Sequence, residues 1–169
     1  MKKIGLLFGV VLVLQGCTYA VSPAMVDKAD KKITFEKLRS DPDSYKGKIV
    51  ILGGTIDQVT NLKQGALIEV VQKDLDYWSK PKRTKTTGGR FLVLYPRYLN
   101  PMVYEPGRDI TVAAQVEGTS SNALEDRDYG YLIVVSKELK LWERERQTWD
   151  KPQWLDPLYD RSSSPNKRE

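Results

Sequence analysis

A lone thiol, two knots of carboxylates, one basic run and three spaced tryptophans are the groups in this sequence with the types and spacing to do chemistry. The thiol is Cys17, the one cysteine of 169 residues, so no intramolecular disulfide can form. There is no histidine. That excludes Ser-His-Asp and Cys-His nucleophilic machinery, histidine-containing zinc sites and the usual near-neutral proton shuttle. An enzyme built from this chain would have to run on carboxylates, lysine or tyrosine. Asp74 with Asp76, and Glu125 with Asp126 and Asp128, could supply the acid and base of glycoside cleavage. Acidic turns of that kind are ordinary, and no glycine-rich phosphate loop, metal-ligand cluster or nucleophile elbow accompanies them. The expectation is a protein that is not an enzyme and has no metal and no cofactor.

The basic run is Lys80, Lys82, Arg83 and Lys85, followed by Arg90. Charge runs are usually solvated loops. The functional alternative is contact with an anionic surface, where each basic residue contributes about 1 kcal/mol. Trp142, Trp149 and Trp154 punctuate a charged C-terminal tail. A seven-residue step lets Trp142 and Trp149 share a helix face, which Pro152 would end. Either these indoles pack across an open end of the fold, or they form a contact surface for a protein, a glycan or the bilayer interface. Residues 160–169, serine-rich and charged, are expected to be disordered.

The surroundings of Cys17 set the organisation of the chain. Lys2 and Lys3 precede an apolar run from Ile4 to Leu14, a basic n-region and an h-region of signal-peptide length. The run is too short for a transmembrane helix, which needs roughly 20 apolar residues. Leu14-Gln15-Gly16-Cys17 resembles the lipobox of bacterial lipoproteins, with Leu14 and Gly16 as the signal-peptidase recognition residues and Gln15 as a departure from the usual pattern. The bland alternative is a secreted protein whose cysteine merely follows a cleavage site. Against it, the n-region, the h-region, Leu14, Gly16 and the solitary cysteine all agree. The resemblance implies a covalent lipid on Cys17: a thioether diacylglycerol plus an amide-linked third chain. Two chains already anchor stably, at about 0.8 kcal/mol per buried methylene. Thr18, where an aspartate would favour inner-membrane retention in that class, points to the outer membrane and its periplasmic face. Removing residues 1–16 leaves 153 residues and lowers the net charge from +5 to +3, because Lys2 and Lys3 leave without an acid. So mild a balance does not imply nucleic acid.

The elements that must position these groups follow in order. Residues 17–33 read as a polar, lipidated tether with Pro23 and a charged run from Asp27 to Lys32. Thr34 is a good N-cap for a short helix burying Phe35 and Leu38, ended by Asp41-Pro42. Ile49–Ile56 reads as a strand in which Gly53-Gly54 marks a bulge or lets another segment approach. Ala66–Val71 follows a turn at Asn61–Gly65, and Phe91–Tyr95 is a third strand. Ile110, Val112, Ala114 and Val116 alternate with Thr111, Ala113, Gln115 and Glu117, a half-buried fourth. Tyr131–Leu141 is the fifth. The fold class is therefore all-β: a small OB-like antiparallel barrel over 34–142 with a short N-terminal helix and an aromatic C-terminal tail at 143–169, with a β-sandwich as the alternative.

Several short motifs in a fixed order then resemble a known family. Asp41-Pro42-x-x-Tyr45-x-Gly47-Lys48, Gly53-Gly54, Leu67-Ile68-Glu69-Val70, Gly89-Arg90-Phe91-Leu92, Asn100-Pro101-x-x-Tyr104 and Ile110-Thr111-Val112 are similar to the Slp family of outer-membrane lipoproteins, from Cys17 to about Trp142. Asn100 stands where aspartate is usual, and the tail lacks the glycine-rich aromatic composition of some members. The resemblance implies a Gram-negative envelope lipoprotein held to outer-membrane lipid by its acyl anchor, with a role in stress or stationary-phase envelope integrity. It implies no molecular activity. The leading expectation is a non-enzymatic envelope module that binds a protein or glycan partner. A carboxylate-dependent glycan enzyme and a small-ligand barrel are the alternatives. The oligomeric state is not legible in the sequence.

Overall fold

The computed structural model describes residues 20–120 and 131–143. Five strands, β1 (Ile49–Leu62), β2 (Gly65–Gln72), β3 (Arg90–Tyr95), β4 (Asp109–Ser120) and β5 (Tyr131–Leu141), close into a barrel in the order β1-β2-β3-β5-β4. Closure sets the sandwich aside and gives every strand two neighbours, although β1 beyond residue 57 pairs with β2 alone. Strand order and connectivity are those of an OB-like barrel, as expected.

The expectation of antiparallel pairing throughout is corrected on one seam. β1 pairs antiparallel with β2 and β4, β2 with β3, and β4 with β5, but β3 and β5 run parallel, Phe91 opposite Leu132 and Leu94 opposite Val135. The reason is arithmetic of directions. A ring of five strands cannot alternate up and down all the way round, so one neighbouring pair has to point the same way.

Alternation along the strands fills the interior. Val50, Leu52 and Ile56 of β1 meet Ile68 and Val70 of β2, Phe91 and Val93 of β3, Ile110, Val112 and Val116 of β4, and Leu132 and Val134 of β5. A helix, α2 (Phe35–Ser40), stoppers this core: Phe35 and Leu38 are its buried residues, and the Phe35 and Phe91 rings sit 5.8 Å apart. Its start matches the expectation, with the Thr34 hydroxyl accepting from Lys37 N. Burying a ring such as Phe91 contributes about 2–3 kcal/mol. These side chains occupy the space in which a small-ligand barrel would hold its ligand.

Two further expectations change. The bulge expected at Gly53-Gly54 lies instead at Asp57, where the β1–β2 register steps from Ile56 to Gln58, and β1 runs on unbroken to Leu62. The glycines serve the other reading, close approach by neighbouring segments. The segment 17–33, expected to be a tether, is from residue 20 onward part of the folded body. Ala20 and Val21 are buried, and Ser22 caps a second short helix, α1 (Pro23–Lys28), with Pro23 at its start. The Ser22 amide and hydroxyl each donate to the Glu138 carboxylate at 2.6 Å. Charge-assisted bonds to a half-buried carboxylate dock what composition alone reads as loose chain.

Candidate functional site

On β4 the core residues Ile110, Val112, Ala114 and Val116 point inward, so Thr111 and Ala113 point out, yet both are fully buried. The expectation of a half-buried strand is corrected here: chain covers the outer face as well. The β2–β3 loop, residues 73–89, folds back over it. Leu75 bridges to Pro81, both lie against Gly53, and Thr111 Oγ1 donates to Ser79 O at 2.6 Å. Trp142 completes the cover. Its Nε1 donates to Thr111 Oγ1 at 2.9 Å, its carbonyl accepts from the Arg108 guanidinium, and Lys80 and Lys140 place their ammonium groups 5.7 and 5.9 Å from its ring. Trp142 packs against the barrel, but on the outer face of β4 and not across an open end as one reading had it. Trp149 and Trp154 lie outside the described residues, as do Leu14, Gly16, Cys17, Glu125, Asp126 and Asp128.

The loop's tip is fixed by Asp76. Its carboxylate accepts from Trp78 N and Lys80 N, both at 2.8 Å, while Asp76 N donates to Lys80 O. This tight turn forces Ser79 to a φ of 60°, rare for a residue with a side chain. Asp76 thus shapes a turn, and Asp74, exposed, receives Lys82 N on its backbone carbonyl. At the tip stand Tyr77 and Trp78, 92 % and 66 % exposed, with ring centroids 5.3 Å apart edge to face. Sequence reasoning passed over this pair because the stretch was read for its carboxylates and lysines. The available signal was two adjacent aromatics in a segment with neither helical nor strand periodicity.

The basic residues separate. Lys82, Arg83 and Lys85 are exposed along the returning arm of the loop, and Lys80 is half-buried beside Trp142. Arg90 does not belong with them. It opens β3, and its Nη1 donates to Glu69 Oε1 at 2.7 Å and to Asp57, the residue the bulge pushes out. Both carboxylates raise its pKa above the usual guanidinium value, Asp57 more than Glu69. The Glu69 side chain is 10 % exposed while those of Arg90 and Asp57 are 37 % and 41 % exposed, which puts the cluster between a surface pair and a buried one. Arg90→Met is expected to cost about 2 kcal/mol in urea unfolding, and pairing it with Glu69→Gln should recover part of that loss. A double variant whose loss equals the sum of the two single losses would show that the two residues are not coupled.

Among the described residues no cluster of three or more acids or cysteines could hold a metal, and no helix is long and apolar enough to cross a membrane. Beside the covered face, the docked segment Ala20–Pro23, the turn Tyr95–Arg97 and the β5 stretch Ser136–Leu139 line a cleft of about 720 Å³. The face therefore carries three features side by side: the N-terminal entry of the chain, an aromatic tip and a basic arm.

Residues 14–165 match the model of the outer membrane lipoprotein Slp family, a span that opens on Leu14 and includes Cys17. The chain belongs to the Slp family. A relative, an uncharacterized protein of Haemophilus influenzae, is 33 % identical over 96 residues, 56 % of this chain and 52 % of that protein. The chain thus spans about half the length of that curated relative. The Slp match extends past Trp142, where the resemblance read from the sequence ended, to take in most of the tail. Asn100, the departure from the usual aspartate, sits at a turn in which its Oδ1 accepts from Met102 N at 3.0 Å. Aspartate offers the same acceptor, so the exchange keeps the turn.

Proposed function

We propose that this Slp-family chain is a lipid-anchored, non-enzymatic module on the periplasmic face of the outer membrane, tethered through acyl chains on Cys17. The observation that carries the reading is the Slp match beginning at Leu14, so that the apolar run, Gly16 and the lone cysteine stand at the head of the matched region. In that reading the barrel is a rigid body presenting loops to an envelope protein or glycan, and its contribution is to envelope integrity under stress. The filled interior and the structural employment of Asp76 favour a binding surface over a ligand cavity or a carboxylate active site.

Intact-mass measurement on protein extracted from the membranes of its own cells tests this. The expected species starts at Cys17 and is heavier than the polypeptide by three acyl chains and a glycerol. A mature chain with an unmodified sulfur, or a chain still carrying residues 1–16, would overturn the reading.

A further inference from the structure

We infer that the outer face of β4 and β5 is the surface this protein turns toward the bilayer, and that the Tyr77-Trp78 tip with Lys82 and Lys85 makes a second, non-covalent contact with anionic lipid there. The inference rests on the acyl anchor at Cys17.

The geometry starts at Glu138. Ser22 is bound to its carboxylate through both amide and hydroxyl, and Ala20 is already buried against the body. Between Cys17 and Ala20 there are three peptide steps, which span at most about 11 Å. A lipid on Cys17 therefore holds the barrel by the side on which Glu138 lies. A long tether would let the body present any face, whereas so short a link does not.

The aromatic tip shares that side. Glu138 is opposite Ala113 and Lys140 opposite Thr111. Residues two apart on a strand project from the same face about 7 Å from each other. Thr111 is the residue that holds the loop through Ser79 O and Trp142 through its indole. The point where the chain arrives from the membrane and the base of the Tyr77-Trp78 tip are thus two residues apart along the strands.

The chemistry of the tip suits a headgroup layer. Tyrosine and tryptophan concentrate at membrane interfaces because one end of each ring system is apolar and the other polar. Here they stand out from the surface on a turn pinned by Asp76, so inserting them orders little that is not already ordered. The exposed lysines of the returning arm, Lys82 and Lys85, lie within a few residues, and at physiological salt an anionic surface is felt over about 8 Å. Acids are present as well. Asp76 is engaged in the turn, the carboxylate of Asp109 faces Lys73, and that of Glu138 is taken by Ser22, so among the described residues exposed Asp74 and Glu143 oppose the lysines.

The test uses the full lipidated chain. Once Cys17 is acylated the protein has no other thiol, so Tyr77→Cys supplies a single site for an environment-sensitive fluorophore. The control is Gln64→Cys, exposed on the turn between β1 and β2, at an end of those strands that pairs with neither β4 nor β5. Both are reconstituted in vesicles of phosphatidylethanolamine with phosphatidylglycerol, and the acyl mass is checked on the same samples. The expected result is a blue-shifted, brightened label at 77 and a water-like label at 64. Lys82→Gln and Lys85→Gln should each lower the population of the inserted state about fivefold. Acylated protein with a water-like label at 77 overturns this inference and leaves the lipoprotein reading intact. Shifted labels at both positions overturn it too, since the face would not be selected. Protein lacking the acyl mass removes the anchor reading and the inference together.

Discussion

Gly54→Ala is expected to destabilise the barrel by about 3 kcal/mol or more, the upper range for overpacking, and to lower the thermal midpoint by about 10 °C. A Cβ at Gly54 would stand 2.1 Å from Val71 O and 2.8 Å from both Val70 Cγ1 and the Val71 carbonyl carbon. Two of these three atoms are backbone, so no rotamer change relieves the clash. Gly54 pairs with Gln72 on one side and Ile110 on the other, and moving β1 away from β2 would press it toward β4. The strain has nowhere to go in a closed ring. Gly107→Ala is the control. Its φ is +86°, but nothing lies within 4 Å of a Cβ there, so only the left-handed backbone cost of about 1 kcal/mol should appear. Urea unfolding of both variants checks the pair. If Gly54→Ala fails to fold, the collapse of its circular dichroism beside an intact Gly107→Ala leads to the same conclusion. Equal modest losses would mean that closure tolerates a wider β1–β2 spacing.

That contrast also measures what can be read from residues in order. The strands were legible because burying one face imposes a period of two, and Ile110 to Val116 carried it plainly. The glycine pair announced an anomaly in β1 without saying which kind: the bulge fell at Asp57, a residue that alternation does not distinguish. The parallel seam was implied by the count of five strands once closure is assumed, but closure itself is a tertiary fact. Thr111 and Ala113 looked solvent-facing, being small and partly polar, and small size is what lets the β2–β3 loop and Trp142 lie so close over this face. Ser22-Pro23 carried a helix-start signal, an N-cap followed by proline, yet α1 has only six residues and no apolar stripe to amplify it. Its docking depends on Glu138, 116 residues away, a pairing no local pattern encodes. Of the candidate site, the lysines were visible as a run. Arg90 was grouped with them by proximity in sequence, although a strand boundary separates its role from theirs.

Cys17→Ser carries the largest expected effect on where the protein resides. Three acyl chains at about 0.8 kcal/mol per buried methylene make escape from the membrane negligible, while a single chain alone gives only marginal, reversible binding. Without any chain, what remains on the bilayer-facing side is the loop contact, a few lysines at about 1 kcal/mol each and two exposed rings. To separate anchoring from export, the variant is made with residues 1–16 replaced by a cleavable secretory leader, so that the body reaches the periplasm unlipidated. The parent protein should sediment with outer membrane at any salt concentration, and the variant should appear in the osmotic-shock fluid. At low ionic strength some variant should stay with anionic membranes and be washed off by 1 M salt, where the screening length falls to about 3 Å. That salt-labile fraction should vanish with Lys82→Gln and Lys85→Gln. A variant that sediments regardless of salt would mean that the barrel is held by something other than its lipid. In that case a partner in the membrane fraction, recognised by the barrel itself, would be the tether, and Cys17 would be dispensable for position.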